Sequence, residues 1–391
     1  MDEREARIAL SCVVEGGTPA LAQAVHEFGA VEVWAGLVHG GRDTAASRRA
    51  RGFELGPVLA SAAASGQRFV IPGDDEWPSR LSDLQGCESV NGMSGAPMGL
   101  WLRGAGSLVQ LNVQSVAVVG SRASSAYGDT VAADLAATLG EGGWTVVSGG
   151  AYGIDAAAHR GCLASRTPTL AILAGGVDQP YPPGHRSLFE RIAERGLLIS
   201  ELPPGEHPTR VRFLSRNRLI AALTVGTVIV EAASRSGARN TVTWANALRR
   251  VVMAVPGPVT SATSVTPHRL IRESEAVLVT QASDVFELLA PLGHPGPRRP
   301  AEQRPLDVLT PEELSVYEAI PGRGSRGAGE VALRSGLPLG HCLAVLQGLA
   351  SQGFLVQDHQ QEWSLPPRRA IDRPEDGNAA EPTVVDHPAR G

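Results

Sequence analysis

The sequence contains no lysine, so all 35 of its basic residues are arginine. Codon bias in a GC-rich genome is the simplest origin of that habit, but its consequence is physical. A P-loop, which needs Gly-Lys-Ser/Thr, is excluded, and every positive charge is a planar fork suited to phosphate and to stacking. Aromatic residues are only 4% of the chain, so any exposed one stands out. Cysteine is scarce too: Cys12, Cys87, Cys162 and Cys342 lie far apart, with no Cys-x-x-Cys pair. That argues against a zinc site or a disulfide framework and fits a reducing cytoplasm. No apolar run approaches the ~20 residues that cross a bilayer. The opening residues, MDEREAR, lack the apolar stretch of a signal peptide. A soluble, cytoplasmic protein with no membrane partner is expected.

What the chain does have is a long alternating core. From Ser115 to Gly257, short runs rich in Val and Ile end in Gly or Ser, and each is followed by helical spacing. The strand candidates are VAVVG (116–120), WTVVSGG (144–150), TLAILAGG (169–176), LLISELP (197–203), TVIVEAA (227–233), VVMAVPG (251–257) and, beyond them, AVLVT (276–280). The pattern predicts an α/β fold of βαβ units on a parallel sheet. Such sheets bind ligands at the carboxyl ends of their strands, where this chain places Gly, Ser and Arg. Helices are expected at Tyr127–Leu139, at SRNRLIAAL with Ser215 as its cap, and at SDVFELL with Ser283 as its cap.

With 391 residues and 43% hydrophobic content, the chain is expected to hold two or three domains with real cores. Residues 1–65 are Ala-rich with helical periodicity and resemble a small bundle of the SAM or helix-hairpin-helix kind, with Thr18-Pro19 as a helix start. The main domain is expected over 66–292. Its first part, 66–114, is a connector whose strand-like pieces add edge structure to the sheet. A Pro, Arg and Gly linker follows at 293–305. Residues 306–366 read as helix, helix, turn, helix and hairpin, a winged-helix-like pattern. The helix that would read DNA, LGHCLAVLQGLASQG, has no Arg, which favours a protein-contact or structural role. Residues 367–391 are charged, Pro-rich and without periodicity, hence expected to be disordered.

The net charge of −5 speaks against a polyanion partner, but its distribution does not. Between Gly205 and Arg250 stand eight Arg against two acids, Glu206 and Glu231. Gly120-Ser121-Arg122 ends the first core strand at a turn into a helix, where backbone N–H groups, the helix dipole and a forked cation can meet a phosphate. It is not Gly-x-Gly-x-x-Gly, since the next glycine is Gly128, so a nucleotide cofactor is not expected; nor is a metal. The sharpest cluster is Phe213, Arg216, Asn217 and Arg218, preceded by Arg210 and Arg212. With Ser215 as the cap, the two arginines occupy a first helical turn, where cations are disfavoured unless an anion binds. Phe213 can carry a stacked base, and an aromatic flanked by Arg is how an unpaired strand is held without base reading. The alternative is a hydrophobic staple beside a solvated face. Ser236, Gly237 and Arg239 extend the basic edge, and Glu231 can orient an Arg. Asp155 and His159, one helical turn apart, can do acid–base work or simply brace the helix; with no nucleophile evident, the second is expected.

Taken together, GSR…YG, SGGAYGID…AH, YPPGHRSL, ISELPPG, FLSRNRLIA, VIVEAASRSGARNT and AVPG resemble, in order and spacing from Ser115 to Leu289, the signature of the DprA/Smf family. The resemblance implies an extended Rossmann-like core that binds single-stranded DNA rather than a dinucleotide. It implies a non-enzymatic homodimer that loads the RecA recombinase and helps displace single-strand-binding protein in natural transformation and recombination. Its Gly-Ser-Arg motif falls on Gly120, Ser121 and Arg122, and its Phe-x-x-Arg-Asn-Arg motif on Phe213, Arg216, Asn217 and Arg218. Arg122→Glu or Arg216→Glu is expected to abolish binding with thermal stability nearly unchanged. The rival is a phosphoribohydrolase of the Lonely Guy (lysine-decarboxylase-like) type, acting on nucleoside monophosphates. Its Pro-Gly-Gly-x-Gly-Thr-x-x-Glu is matched only by fragments, LAGGVDQPYP and VGTVIVE.

Overall fold

The protein is described here by a computed structural model over residues 1–290 and 305–366. The linker expected at 293–305 lies almost wholly outside these residues, and the tail at 367–391 lies outside them. Two compact units are present, divided near residue 300.

The first unit opens with five helices: α1 (Glu3–Val13), α2 (Pro19–Phe28), α3 (Ala30–His39), α4 (Ala45–Arg51) and α5 (Leu55–Ala64). Thr18 caps α2 by position with Pro19 in the first turn, but its side chain bonds back to the Glu15 carbonyl rather than to the helix. The connector supplies β1 (Gln67–Val70), β2 (Leu100–Arg103) and α6 (Leu108–Asn112). The alternating core then runs β3 (Ser115–Val119), α7 (Ala126–Glu141), β4 (Thr145–Ser148), α8 (Ile154–Ala164) and β5 (Thr169–Ile172). It continues with α9 (Arg186–Arg195), β6 (Leu197–Ser200), α10 (Arg210–Ala222), β7 (Gly226–Ile229) and α11 (Ala238–Ala247). It closes with β8 (Val251–Ala254), α12 (Val265–Arg272), β9 (Val277–Leu278) and α13 (Ala282–Leu289).

The nine strands form one sheet in the order β1-β2-β6-β5-β4-β3-β7-β8-β9. From β6 to β9 every pairing is parallel, while β1 and β2 add antiparallel at one edge. The inner strands are buried along their whole length because helices cover both faces, which is why they read as continuous Val/Ile runs. On one face Leu219 and Ile220 of α10 and Val242 and Trp244 of α11 pack on the sheet; on the other, α7, α8 and α13 bring Leu135, Ala158 and Phe286. The helical module is joined to this core: Ile8 of α1 packs with Phe69, Trp101 and Phe189.

One cap differs from expectation. The cap of α13 is Gln281, not Ser283, because the Asp284 carboxylate accepts from the backbone N–H of Thr280 and Gln281 and draws the helix start forward.

The second unit holds α14 (Pro311–Glu318), β10 (Arg326–Gly327), α15 (Ala328–Ser335), α16 (Leu339–Ser351), β11 (Val356–Gln357) and β12 (Glu362–Ser364). The strands form an antiparallel sheet in the order β10-β12-β11, over a core with Val316, Val331, Leu346 and Trp363. Among the described residues, no helix is long and apolar enough to cross a membrane.

Candidate nucleic-acid interface

The sheet order itself creates the site. From β3 the chain winds outward through β4, β5 and β6, then returns along α10 so that β7 pairs with the other side of β3. Connections leave β3 and β7 toward opposite faces, which opens a crevice beyond their carboxyl ends. A cleft of about 970 Å³ lies there, lined by the turn after β3, the turn after β7 and the first half of α10.

Gly120 begins the β3 turn. A Cβ at this position would sit 2.5 Å from Ile154 and 2.8 Å from the Glu231 carbonyl, so the close approach of β3, β7 and α8 requires glycine. Ser121 is held by its N–H on the Glu231 carbonyl at 2.6 Å, and its hydroxyl turns back to the Ala123 carbonyl. Arg122 is thereby projected outward, exposed and in no ion pair among the described residues. Its guanidinium carbon lies 4.6 Å from the centre of the Phe213 ring. The guanidinium of Arg216 stands 5.9 Å from the same centre, and Tyr181, 47% exposed, meets the ring edge-on at 6.0 Å. An aromatic ring with two cations close to it is a platform for a planar group beside a negative charge.

Arg216 forms the floor. It is buried and donates to the carbonyls of Gly149 (2.8 Å) and Ile172, with no carboxylate in ion-pair contact among the described residues. Burial pushes its guanidinium down to about 10, while Asp155 nearby opposes the shift; at neutral pH it stays charged. Asp155 accepts from the backbone N–H of Gly149 (3.1 Å) and Ala151 (3.3 Å), and its own burial raises its carboxyl above the usual range. Arg210 and Arg235 also line the cleft, exposed and outside any ion pair among the described residues. The amino ends of α10 and α11 both open onto it, at Thr209-Arg210 and Gly237-Ala238, adding dipole ends that favour anions. Ser236 and Asn217 line it too, with the Asn217 amide bonded to Asn240 at 3.1 Å.

Several expected features fall elsewhere. α10 starts at Arg210 with Thr209 as its cap, the Thr209 hydroxyl accepting from the Arg212 N–H at 3.3 Å, not at Ser215. Arg216–Arg218 are therefore mid-helix, and the first-turn argument does not apply to them. Ser215 instead donates to the Gly16 carbonyl. Arg218 does not reach the cleft: it is fully buried in a forked pair with Glu201, at 2.8 and 2.6 Å, and also bonds the Gly95 carbonyl. Arg212 is held by Glu15 at 2.8 Å and by Glu206, and Arg239 by Glu275 at 3.2 Å; neither lines the cleft. Arg216 does line it, but because it is buried, Arg216→Glu would set a carboxylate beside Asp155 and disturb the fold, against the expectation of unchanged stability.

Glu231 orients no Arg; it accepts from the Ser125 backbone and hydroxyl at the start of α7 and from Thr263. Asp155 and His159 do not pair either. His159 bonds Thr169 at 2.9 Å, its Nε2 is buried without a partner, and burial lowers its imidazole to about 3. Tyr181, Asn240 and Thr241 were not foreseen. For Tyr181 the available signal was its rarity, an aromatic just past a core strand in a chain with few aromatics. Among the described residues, no group of three His, Cys, Asp or Glu is placed to hold a metal ion.

Comparison with known proteins identifies the family. Residues 68–290 match the family model described as DNA recombination-mediator protein A. A Mycobacterium tuberculosis protein described as a DNA processing protein DprA is 48% identical over 302 residues, 77% of each chain. The X-ray structure of DNA processing protein A from Streptococcus pneumoniae superposes with a TM-score of 0.61 at 30% identity, covering 74% of this chain and 98% of that one. A Helicobacter pylori DNA processing protein A, solved for its single-stranded DNA binding mode, covers 57% of this chain and 97% of its own at 23% identity and a TM-score of 0.49, a likeness of general fold alone.

Proposed function

The chain belongs to the DNA recombination-mediator protein A family, and we propose that it acts by binding single-stranded DNA across the cleft at β3 and β7. The observation that carries this reading is Phe213 with both Arg122 and Arg216 close to its ring, at the lip of a cleft whose exposed arginines have no carboxylate partners among the described residues. A duplex hides the faces of its bases, so Phe213 and Tyr181 have a stacking partner only in an unpaired strand. Arg122, Arg210, Arg216 and Arg235 supply four phosphate contacts. Stacking and phosphate contacts are tolerant of base identity, so binding is expected to depend little on sequence.

The reading is of a binding protein, not an enzyme: Asp155 at the cleft is engaged in holding the Gly149–Ala151 turn. We further propose that the protein acts as a cytoplasmic homodimer, and the family's description as a recombination mediator bears on its role. It hands the strand to the RecA recombinase against single-strand-binding protein, in natural transformation and recombination.

Fluorescence anisotropy with an oligothymidylate and a duplex of equal length tests the binding. The single strand should bind far more tightly, with log K against log salt falling at a slope of about −3, from ~0.7 per phosphate contact. Equal affinity for the duplex, or no affinity for either, would remove the proposal.

A further inference from the structure

Acidic and basic residues are segregated in the helical module. The first 38 residues carry Asp2, Glu3, Glu5, Glu15, Glu27 and Glu32 against Arg4 and Arg7. Around α4 the balance reverses: Arg42, Arg48, Arg49 and Arg51 stand against Asp43 and Glu54, and all four arginines are exposed. One carboxylate is shared, with Asp43 2.9 Å from Arg48 and 3.0 Å from Arg51. Arg42 and Arg49 make no ion pair among the described residues.

The patch is also held in shape. Thr44 and Ser47 cap α4 reciprocally, and the Ser47 hydroxyl ties back to the Arg42 carbonyl. Just past the helix, Phe53 packs edge-on against Trp34 at 5.4 Å, both half-buried. Basic residues in a last turn do complement the helix dipole, which accounts for Arg48, Arg49 and Arg51. It does not account for Arg42, which precedes the helix, nor for a half-buried aromatic pair beside the charges.

Resting on the reading of the cleft as a single-strand site, we infer that the α4 end of the helical module is a second phosphate-binding surface, which takes the backbone of the same strand beyond the cleft. The chemistry is that of an arginine track with an aromatic neighbour. Phosphates replace the missing carboxylates, and the strand must be long enough to reach both places.

The test uses the full chain, with oligothymidylates of about 6 and about 40 nucleotides, the shorter being roughly what one site of this kind holds. R42E/R49E removes the two arginines that make no ion pair among the described residues. It should leave affinity for the short strand unchanged and lower that for the long strand about five- to tenfold. The log K–log salt slope for the long strand should become shallower by about 1.4, two contacts at ~0.7 each. Asp43→Asn, which releases Arg48 and Arg51, should tighten the long strand alone. Unchanged affinity and slope for the long strand in both variants would overturn the inference, as would an equal loss on short and long strands or a stronger response from duplex than from single strand. Failure of the unaltered chain to bind the short strand would count against the cleft reading instead. Should R42E/R49E melt early, Asp43→Asn still decides.

Discussion

α10 carries one residue type in opposite employment. Arg210 is exposed at the cleft and Arg216 is buried against it near Phe213, neither with an ion-paired carboxylate among the described residues. In the same helix, Arg212 and Arg218 are clamped, the first by Glu15 and Glu206, the second in a buried fork with Glu201. The difference teaches that an arginine's role here is set by whether a carboxylate reaches it. A compensated guanidinium cements the fold; an uncompensated one, held at a strand end, remains available to an outside anion.

If that division is real, Arg218→Ala should have the largest effect, and on stability. Leaving Glu201 buried and unpaired should cost about 3–5 kcal/mol in urea unfolding, while R218M with E201L should recover most of it. A small loss for the single variant would break the comparison. Next, Arg122→Glu should weaken oligonucleotide binding by about a hundredfold, yet leave unfolding within ~0.5 kcal/mol, as for surface substitutions generally. A melting loss comparable to that of Arg218→Ala would mean that the cleft arginines also hold the fold.

The layer beneath the cleft gives a pH signature. His159 is neutral when folded, its imidazole lowered to about 3 by burial against an ordinary 6.5. Its contribution is fully present above pH 6.5, where the unfolded chain is also neutral. It is lost as pH falls from 6.5 toward 3, because the unfolded chain takes the proton, by up to ~1.4 kcal/mol per pH unit. At pH 5 this amounts to about 2 kcal/mol, and thermal melts of His159→Gln should lack that part of the acid slope. The smallest effect is expected from Phe213→Leu: about 1 kcal/mol of binding, the low end for a stacked base, with the salt slope unchanged. A changed slope would show Phe213 acting through Arg122 and Arg216 rather than through a base.

Much of the architecture was legible in the residues. Each Val/Ile run between Val116 and Gly257 is a strand, and the Gly-Ser-Arg turn and Phe213 do meet at one cleft. What was misjudged concerns pairing and helix register. Placing the cap at Ser215 instead of Thr209 shifted the first turn by six positions, because the loop before α10 is shorter than its Pro and Gly content suggested. The excess of eight arginines over two acids in Gly205–Arg250 was real as a count but not as a field. Arg212, Arg218, Arg239 and Arg250 are neutralised by Glu15, Glu201, Glu275 and Asp83, all outside that stretch.

By itself, then, the sequence determined the alternation of strands and helices, and with it a parallel sheet whose ligands meet its carboxyl edge. Periodicity belongs to consecutive residues, and the burial of both sheet faces is written in them. Only the tertiary structure decided which arginines remain free. Arg212 and Glu15 stand 197 positions apart, and whether two such charges meet depends on how α1 and α10 pack, which no local pattern encodes.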